Sequence, residues 1–481
     1  MKYGHKIRLN IQSYDDKGRG LGEIEIVPGE IRPVVVPFAA VGDEFEAVFV
    51  KREYGVKIAR LDNLIEPGPD RIQAPCPHAG TCGGCLWQHL TYEAQLKEKE
   101  RGIRDLFGSL GLEAMVRPII PAEQTLSYRN RMDFCVGWNS EIGLKEYGSW
   151  NRYVNINECL LLKPGVREIL QTVRDWMRAS DLQPWDAKFF AGDARYVVLR
   201  DGQNTEQRMV TVVVHDAKRV NQAARESLAS GLKAHCTNLL IGEQPKTTDI
   251  SLAESFETLI GEPWLEEEVN GLRYRIHPNS FFQTNSSMAA RLQQVVLDAA
   301  DFGLRTGGPR TLLDLYCGLG FFGIAAAKQQ KDLQVTGYEL DEEAIKLASQ
   351  NAEMNGVGDR CRFFSGKAEE LSWKDVDAQV VILDPPRSGL HPRVIKTLLD
   401  ETAALQPSTL VYVSCNYRRL KEELPLLMQK FEVESIQPLD LFPQTPHVEV
   451  VVSLQRIMGA NGPADHACPP VAGTGGQGTR Y

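Results

Sequence analysis

The sequence predicts an α/β protein in which a doubly wound parallel sheet follows an OB-like β-barrel and a central α+β domain. Three observations lead to this prediction. Short alternating polar and apolar runs fill residues 1–65, strand and helix patterns mix over residues 70–275, and apolar runs alternate regularly with amphipathic stretches from Thr311 onward. Regular alternation of the last kind is typical of βαβ units that build a parallel sheet.

Length and charge set limits on function. A chain of 481 residues is too long for a single core and indicates several domains. The formal net charge of -9 gives no support to a globally basic nucleic-acid binder, so a polyanion would need local basic patches. No apolar run approaches the roughly 18 residues of a spanning helix, and no signal sequence is recognisable. We therefore expect a cytoplasmic protein without membrane contact, and a monomer.

The N-terminal region is predicted to be a barrel of the OB type. Alternating runs occur at 6–11, 34–37 and 44–50, with a glycine-rich turn at 18–22. Barrels of this type commonly bind nucleic acid, although the fold alone does not establish binding. Prolines and a glycine at 66–70 then predict a linker.

The predicted C-terminal domain covers residues 276–457, and the Gly- and Pro-rich residues 458–481 are expected to form a disordered tail. A final strand is expected at 448–452. The other strand candidates lie at 311–316, 335–340, 361–364, 379–383 and 409–413. The carboxyl ends of such parallel strands form the crevice that binds ligands, so polar residues there are candidate site residues.

The first strand runs into a glycine turn at 317–323 that is similar to, but does not match, the dinucleotide-binding motif. Glu339 ends the second strand, where such folds place a carboxylate on ribose hydroxyls. Because the turn lacks phosphate-binding spacing, S-adenosylmethionine, which has no pyrophosphate, fits better than NAD. Two prolines follow Asp384 at the end of the fourth strand and present its carboxyl at the same edge.

A cysteine stands where the fifth strand ends. The apolar run at 410–413 is followed by Ser414, Cys415 and Asn416. Most free cysteines are small buried apolar side chains, and Cys415 alone would be read that way. Its place at the ligand-binding edge makes it a candidate nucleophile.

Three further cysteines, Cys76, Cys82 and Cys85, lie within ten residues among prolines and glycines that permit tight loops. Three thiolates need a fourth partner to bind a metal centre. His78 or His89 could complete a zinc site, although the spacing is not the paired Cys-x-x-Cys of a zinc ribbon. Iron–sulfur clusters instead take four thiolates with uneven spacing.

Three stretches resemble, in order, the signatures of the RNA uracil-5 methyltransferases. They are Asp-Pro-Pro-Arg-Ser-Gly at 384–389, Val-Tyr-Val-Ser-Cys-Asn at 411–416, and the long stretch LDLFPQTPHVE at 439–449. The resemblance extends upstream to Phe-Gln-Thr-Asn at 282–285 and to a barrel like the TRAM domain of that family. It implies a Rossmann-like, S-adenosylmethionine-dependent methyltransferase domain that acts on uridine in RNA, with ribosomal RNA favoured over transfer RNA.

The resemblance also implies roles for individual residues. It assigns the nucleophile to Cys415 and the base to Glu449. The cofactor residues that it implies are Gln283, Tyr316, Glu339 and Asp384. In the cluster-bearing branch of the family a fourth cysteine lies well downstream of the first three, and Cys159 matches that place, which favours a 4Fe-4S cluster on Cys76, Cys82, Cys85 and Cys159 over zinc.

The chain departs from the family pattern at three positions. Tyr417 stands where a proline usually follows Ser-Cys-Asn, Arg419 replaces a nearby threonine, and Phe321 stands where many members have asparagine. These departures concern substrate identity and cofactor contacts. The chemical groups of the proposed reaction are retained.

Two alternative functions each explain part of the sequence. An amino methyltransferase, suggested by Asp384-Pro-Pro, would leave Cys415 and Glu449 without a role. A non-catalytic RNA-binding protein would not need to keep Glu339 or the other site residues. The basic stretch 128–131 could contact RNA or form a solvated face.

Overall fold

The computed structural model describes residues 3–302 and 310–457. The predicted tail, 458–481, lies outside these residues. Five strands near the N-terminus close into a barrel in the order β1-β2-β3-β5-β4, which confirms the predicted barrel. Their bounds are β1 Lys6–Tyr14, β2 Gly20–Val27, β3 Glu30–Val36, β4 Glu44–Glu53 and β5 Val56–Glu66. Inward-facing apolar side chains such as Leu9, Val34 and Phe45 form the barrel core.

The cysteine segment follows the barrel and leads into helix α1, Tyr92–Gly108. The Thr91 side chain accepts a hydrogen bond from the Ala94 N–H and begins the helix. The buried positions Gln95, Lys99, Ile103 and Phe107 recur every four residues, so one face of α1 packs inward. Two of these buried residues are polar, which requires partners inside the protein.

The central region is built on a seven-stranded sheet in the order β12-β11-β10-β9-β6-β7-β8, followed by a two-stranded sheet, β13-β14. This confirms a mixed α+β region. Its elements are β6 Arg131–Val136, β7 Ile142–Lys145, β8 Tyr153–Asn155, α2 Val166–Ala179, β9 Ala194–Asp201, β10 Arg208–Val214, α3 Gln222–Leu232, β11 Asn238–Glu243, β12 Ser255–Ile260, β13 Leu265–Val269 and β14 Leu272–Ile276.

The C-terminal part is a doubly wound α/β unit, as predicted, with the strand order β17-β16-β15-β18-β19-β21-β20. Strands β15 to β19 pair in parallel, whereas β21 pairs antiparallel with both β19 and β20. The elements are α4 Ser286–Ala300, β15 Arg310–Leu315, α5 Phe321–Gln329, β16 Leu333–Glu339, α6 Glu342–Met354, β17 Cys361–Ser365, β18 Val380–Leu383, α7 Pro392–Leu399, β19 Thr409–Ser414, α8 Tyr417–Leu427, β20 Phe431–Leu439 and β21 Glu449–Arg456.

The five predicted parallel strands agree with the observed ones to within a few residues, and β18 and β19 are apolar runs buried on both faces. The final strand begins at Glu449 and continues to Arg456, beyond the predicted 448–452. Strand β20 was not predicted, although its first half alternates between buried apolar and exposed polar residues as a half-buried strand does.

The order of the strands determines where a site can form. The chain leaves β15 toward β16 on one side and returns to β18 on the other, so β15 and β18 are neighbours at the point where the winding reverses. A crevice opens at the carboxyl ends of strands at such a point. Among the described residues, no helix combines the length and apolarity needed to cross a membrane.

Candidate active site at the carboxyl edge of the sheet

The carboxyl ends of β15, β16, β18 and β19 open on one cavity of about 1400 Å³. All six residues chosen from the sequence as cofactor or catalytic residues line it: Gln283, Tyr316, Glu339, Asp384, Cys415 and Glu449. They come from segments that are far apart in the chain. The fold therefore brings together a thiol, three carboxyl groups, a phenol and an amide around one space.

One end of the cavity is the glycine turn after β15. Tyr316, at φ 66°, and Gly318, at φ 52°, both take the left-handed conformation, so the chain reverses tightly there. Glu339 lies beside this turn, where its Oε2 accepts a hydrogen bond from the Gly318 N–H at 3.3 Å. Its Oε1 accepts from the N–H groups of Leu340 and Asp341 at 2.7 and 3.0 Å. The backbone thus holds the Glu339 carboxylate at the start of α6.

Asp314, inside β15, contacts the helix that follows the glycine turn. It is fully buried, and its Oδ2 accepts a hydrogen bond from the Gly323 N–H of α5 at 3.0 Å. Burial raises the pKa of Asp314 to about 7, with a smaller contribution from the Glu339 charge, while the Gly323 hydrogen bond opposes the rise. Asp314 therefore joins the first strand to the following helix and adds to the acidity around the turn.

Asp384 and Glu449 are neighbouring carboxyl groups in the cavity. Burial, followed by the charges of Asp314 and Glu339, raises the pKa of Asp384 to about 8. Burial and the Asp384 charge raise the pKa of Glu449 well above its usual range, and Arg387 opposes this rise. Because the two carboxyl groups are neighbours, ionisation of one disfavours ionisation of the other.

Cys415 lies between these acids and a cation. Burial raises the pKa of its thiol to about 11, and Glu449 and Asp384 add to the rise. The Arg387 guanidinium opposes the rise through its charge and a hydrogen bond to the thiol. Arg387 lines the same cavity, and its carbonyl oxygen accepts a hydrogen bond from Asn416 Nδ2 at 3.0 Å. Sequence reasoning did not select Arg387, although its place directly after Asp384-Pro-Pro was a usable signal.

Gln283 is held from the central region. It is buried, and its carbonyl oxygen accepts a hydrogen bond from Asn130 Nδ2 at 2.7 Å. Asn130 belongs to the basic stretch 128–131, in which Tyr128 is also buried. Arg129 is the one residue of this stretch that lines the cavity. Arg131 forms an ion pair with Asp133 at 2.7 Å. The stretch is therefore not a solvated face.

Basic and aromatic side chains also line the cavity. These lining residues, which sequence reasoning did not assign to the site, are Lys17, Phe281, Lys367, Arg387 and Arg418. Lys17 comes from the barrel, and the Phe281 side chain is 67% exposed, so its ring is free to stack on a ligand. Acidic side chains, Asp16, Asp341 and Glu369, line the cavity beside these cations, so the lining carries charges of both signs.

Two departures from the family pattern lie close to the site. Tyr417 begins α8 and is buried, so it acts in packing against the protein interior. Arg419 lines the cavity and forms an ion pair with Glu422 at 2.7 Å. Phe321, the third departure, is buried and packs its ring against those of Tyr274 and Phe282.

The four predicted cluster cysteines are free thiols that lie near one another. Burial raises the pKa of Cys85 to about 12, and the charges of Cys159, Cys82 and Cys76 add to the rise. However, within residues 3–302 and 310–457 no three or more His, Cys, Asp and Glu side chains are placed closely enough to hold a metal ion. The donor chemistry suits a metal centre, but the described positions are not those of a finished ligand set.

The two histidines considered for zinc differ in their surroundings. Burial, followed by the Arg71 charge, lowers the pKa of His89 to about 4, and Asp43 is also nearby, so this imidazole faces the junction with the barrel. Burial lowers the pKa of His78, which Glu158 opposes, so His78 lies on the side of Cys159. The glycines between Cys82 and Cys85 line the active-site cavity.

Comparison with known proteins agrees with this geometry. Residues 91–457 match the family model described as tRNA (uracil-5-)-methyltransferase. The chain belongs to this family of RNA uracil-C5 methyltransferases. The match covers about three-quarters of the chain. The matched residues include all six site residues predicted from the sequence, Gln283, Tyr316, Glu339, Asp384, Cys415 and Glu449.

Relatives within the family differ in their RNA. The chain is 34% identical over 425 residues to a tRNA (uracil(54)-C(5))-methyltransferase of Pyrococcus furiosus, and the match covers 88% of this chain and 95% of that protein. It is also 34% identical over 439 residues to a 23S rRNA (uracil(747)-C(5))-methyltransferase of Pyrococcus horikoshii, with 89% and 96% covered.

A solved structure extends the similarity to three dimensions. The tRNA (uracil-54, C5)-methyltransferase of Pyrococcus abyssi, in complex with S-adenosyl-L-homocysteine, matches with a TM-score of 0.73 and 31% identity. The match covers 93% of this chain and the whole of that chain. The barrel, the central region and the α/β unit therefore belong to one shared architecture.

Proposed function

We propose that this methyltransferase transfers a methyl group from S-adenosylmethionine to carbon 5 of a uridine in RNA, with Cys415 as nucleophile and Glu449 as base. The observation that supports the proposal is that Cys415 and Glu449 line the same cavity as Glu339 and Asp384, so a methyl donor and a uracil ring have room to meet there.

The cofactor residues are proposed to be Gln283, Tyr316, Glu339 and Asp384. S-Adenosylmethionine supplies an electrophilic sulfonium methyl group when it is bound. The Glu339 carboxylate, held by backbone N–H groups beside the glycine turn, offers acceptor oxygens to ribose hydroxyls. The Pyrococcus abyssi enzyme was solved in complex with S-adenosyl-L-homocysteine, the demethylated form of the cofactor, which supports the same ligand class for this cavity.

Carbon 5 of uracil is too weak a nucleophile to accept the methyl group without activation. The Cys415 thiolate adds to carbon 6, so a sulfur–carbon bond forms and the electron pair of the 5,6 double bond moves into an enolate. Carbon 5 then bonds the methyl carbon as the sulfonium–methyl bond breaks. Because Arg387 is the cation beside Cys415, it favours the thiolate that begins this sequence.

Glu449 is proposed to complete the reaction. The carbon 5 proton passes to its carboxylate, the electron pair restores the double bond, and the bond from carbon 6 to the Cys415 sulfur breaks. The raised pKa of Glu449 makes its ionised form a strong base. The charge of Asp384 disfavours that ionised form, and the charge of Arg387 favours it.

The substrate uridine must leave its stack to reach Cys415, because the carboxyl edge of the sheet lies inside a cavity. The lining cations Lys367, Arg387 and Arg418 could contact phosphates, and the exposed Phe281 ring offers a surface on which an unstacked base can stack. Between the two RNA classes named for its relatives we favour ribosomal RNA. Mass mapping of methyluridines in ribosomal and transfer RNA from cells with and without the protein tests this choice.

We keep the 4Fe-4S cluster as a separate hypothesis. Four neighbouring thiols support it, since desolvation raises the pKa values of Cys82, Cys85 and Cys159 and a bound cation would favour their thiolates. The described positions of Cys76, Cys82, Cys85 and Cys159 do not converge on a metal ion, so no step of the reaction is assigned to a cluster.

RNA that contains 5-fluorouridine tests the function directly. Fluorine cannot leave carbon 5 as a proton does, so the enzyme and labelled cofactor should give a methylated protein–RNA adduct that survives denaturation. Cys415→Ala should give none. An amino methyltransferase would form no adduct with any variant, and a protein that only binds RNA would transfer no label.

A further inference from the structure

The loop between β20 and β21, residues 440–448, ends directly at Glu449. Leu439 pairs with Glu449 across the two strands, so the loop is the connection of an antiparallel hairpin. Four residues of this β20–β21 loop line the active-site cavity: Phe442, Thr445, Pro446 and His447. The loop therefore adjoins Glu449 and forms part of the wall of the cavity that its carboxyl group lines.

A buried ion pair holds the start of the loop to helix α1. The Lys99 Nζ lies 2.6 Å from Asp440 Oδ1, and neither side chain has any exposed area. Lys99 also donates to the Phe442 carbonyl oxygen at 3.1 Å, and the Tyr92 hydroxyl donates to Asp440 Oδ2 at 3.0 Å. Burying two charges away from water costs free energy unless the charges pair with each other. The ion pair therefore favours one relative position of Lys99 and Asp440.

A second set of contacts holds the middle of the loop. Gln95 Nε2 donates to Gln444 Oε1 at 3.0 Å, and the Gln444 N–H donates back to Gln95 Oε1 at 2.9 Å. The N–H groups of Leu86 and Trp87 both donate to the Gln444 carbonyl oxygen, at 3.1 and 2.9 Å. Leu86 follows Cys85 directly in the chain.

The backbone of Gln444 shows that neighbouring residues impose the conformation of the β20–β21 loop. Its φ of 69° lies in the left-handed region, which a residue other than glycine seldom occupies. Such a conformation persists where the surrounding structure determines it. Here the surroundings are α1 and the segment before it, because Gln95, Leu86 and Trp87 supply the hydrogen bonds to Gln444.

We infer that Lys99 and Gln95 are positioning residues for proton removal from carbon 5. Neither lines the cavity, so neither touches the substrate. They hold the β20–β21 loop in the conformation that places the Glu449 carboxylate against the carbon 5 proton. The inference rests on the proposed function, in which Glu449 is the base. It also gives the segment after the cysteines a role in catalysis, since that segment contacts the same loop.

The test separates methyl transfer from proton removal. Lys99→Met removes the charge while keeping a side chain of similar length. With RNA carrying tritium at carbon 5 of uridine, release of tritium in a single turnover should slow by on the order of 100-fold, because a misplacement of about 1 Å has an effect of that size. The methylated adduct should form at close to the native rate and therefore accumulate.

A matched control distinguishes positioning from loss of stability. Arg71→Met breaks another buried ion pair, in which Arg71 Nε lies 2.8 Å from Asp43 Oδ1 at the junction with the barrel. It should lower Tm as Lys99→Met does and leave the ratio of tritium release to methyl transfer unchanged. Gln95→Leu, which leaves no unpaired charge, should lower the same ratio and decides the matter if Lys99→Met does not fold.

Two results would overturn the inference. One is a native ratio of tritium release to methyl transfer in Gln95→Leu and in folded Lys99→Met. The other is an equal fall of this ratio in Arg71→Met. Failure of the native enzyme to form an adduct with 5-fluorouridine RNA would instead refute the proposed function, and the inference would fall with it.

Discussion

The reactivity of Cys415 should depend on Arg387, and this dependence can be measured without RNA. The pKa of the thiol is raised to about 11 by burial and by Glu449 and Asp384, and Arg387 is the group that opposes the rise. An opposite charge within a few ångströms lowers a thiol pKa by about 1 to 3 units. Because the Arg387 side chain is exposed and screened by solvent, we expect an effect near 1 unit.

Arg387→Met should therefore raise the pKa of Cys415 further. The sign follows from the thiolate being the charged form: loss of a neighbouring cation disfavours it, so less thiolate is present at any pH below the midpoint. One unit corresponds to about a tenfold smaller thiolate fraction. Alkylation of Cys415 by iodoacetamide should slow by about this factor at neutral pH, and its pH profile should move by about 1 unit to the alkaline side.

The assay follows alkylation of the Cys415 peptide by mass spectrometry, so the other cysteines do not interfere. Arg387→Lys keeps the charge and should remain close to the native profile. Arg418→Met is the matched control, since Arg418 lines the same cavity but its guanidinium lies over the Tyr417 ring. A native pH profile in Arg387→Met, or an equal shift in Arg418→Met, would refute the assignment of Arg387 as the activating cation.

Three further outcomes are expected. Glu339→Ala should weaken S-adenosylmethionine binding by about 1 to 3 kcal/mol, the range for hydrogen bonds to a charged group, and unchanged affinity in calorimetric titration would show that the second-strand acid was misinterpreted. Cys415→Ala should form no adduct, whereas Glu449→Gln should methylate and then retain the RNA as a band that survives denaturation; rapid turnover by Glu449→Gln would exclude it as the base. Anaerobically purified protein should contain about four irons with acid-labile sulfide, and Cys159→Ser should lower that content without altering cofactor affinity; stoichiometric zinc without sulfide would contradict the cluster.

Much of the fold was predictable because its signals are local. Strands β18 and β19 are apolar, fully buried runs whose ends are marked by turn residues, so both could be placed to within one residue. Strand β20 was not predicted, although its first half alternates as a half-buried strand does. Its pairing with β21 places it at the edge of the sheet.

The positions of the site residues at one edge could also be predicted. Once the strands were parallel, Glu339, Asp384 and Cys415 had to share an edge, since each stands where a strand ends. Gln283 and Glu449 entered only through the family resemblance. Gln283 precedes α4, and Glu449 begins an antiparallel strand, so strand-end reasoning does not reach them.

The sequence by itself determined the order of strands and helices, the edge at which ligands bind and the chemical groups available there, because these depend on patterns over a few neighbouring residues. Only the tertiary structure decided which other residues shift the pKa values of these chemical groups and hold them in position. Arg387 opposes the rise in the pKa of Cys415, and Lys99 meets Asp440 across 341 positions of chain. Such contacts depend on how distant segments pack, and a pKa depends on the charges and burial that packing creates, so neither is readable from local spacing.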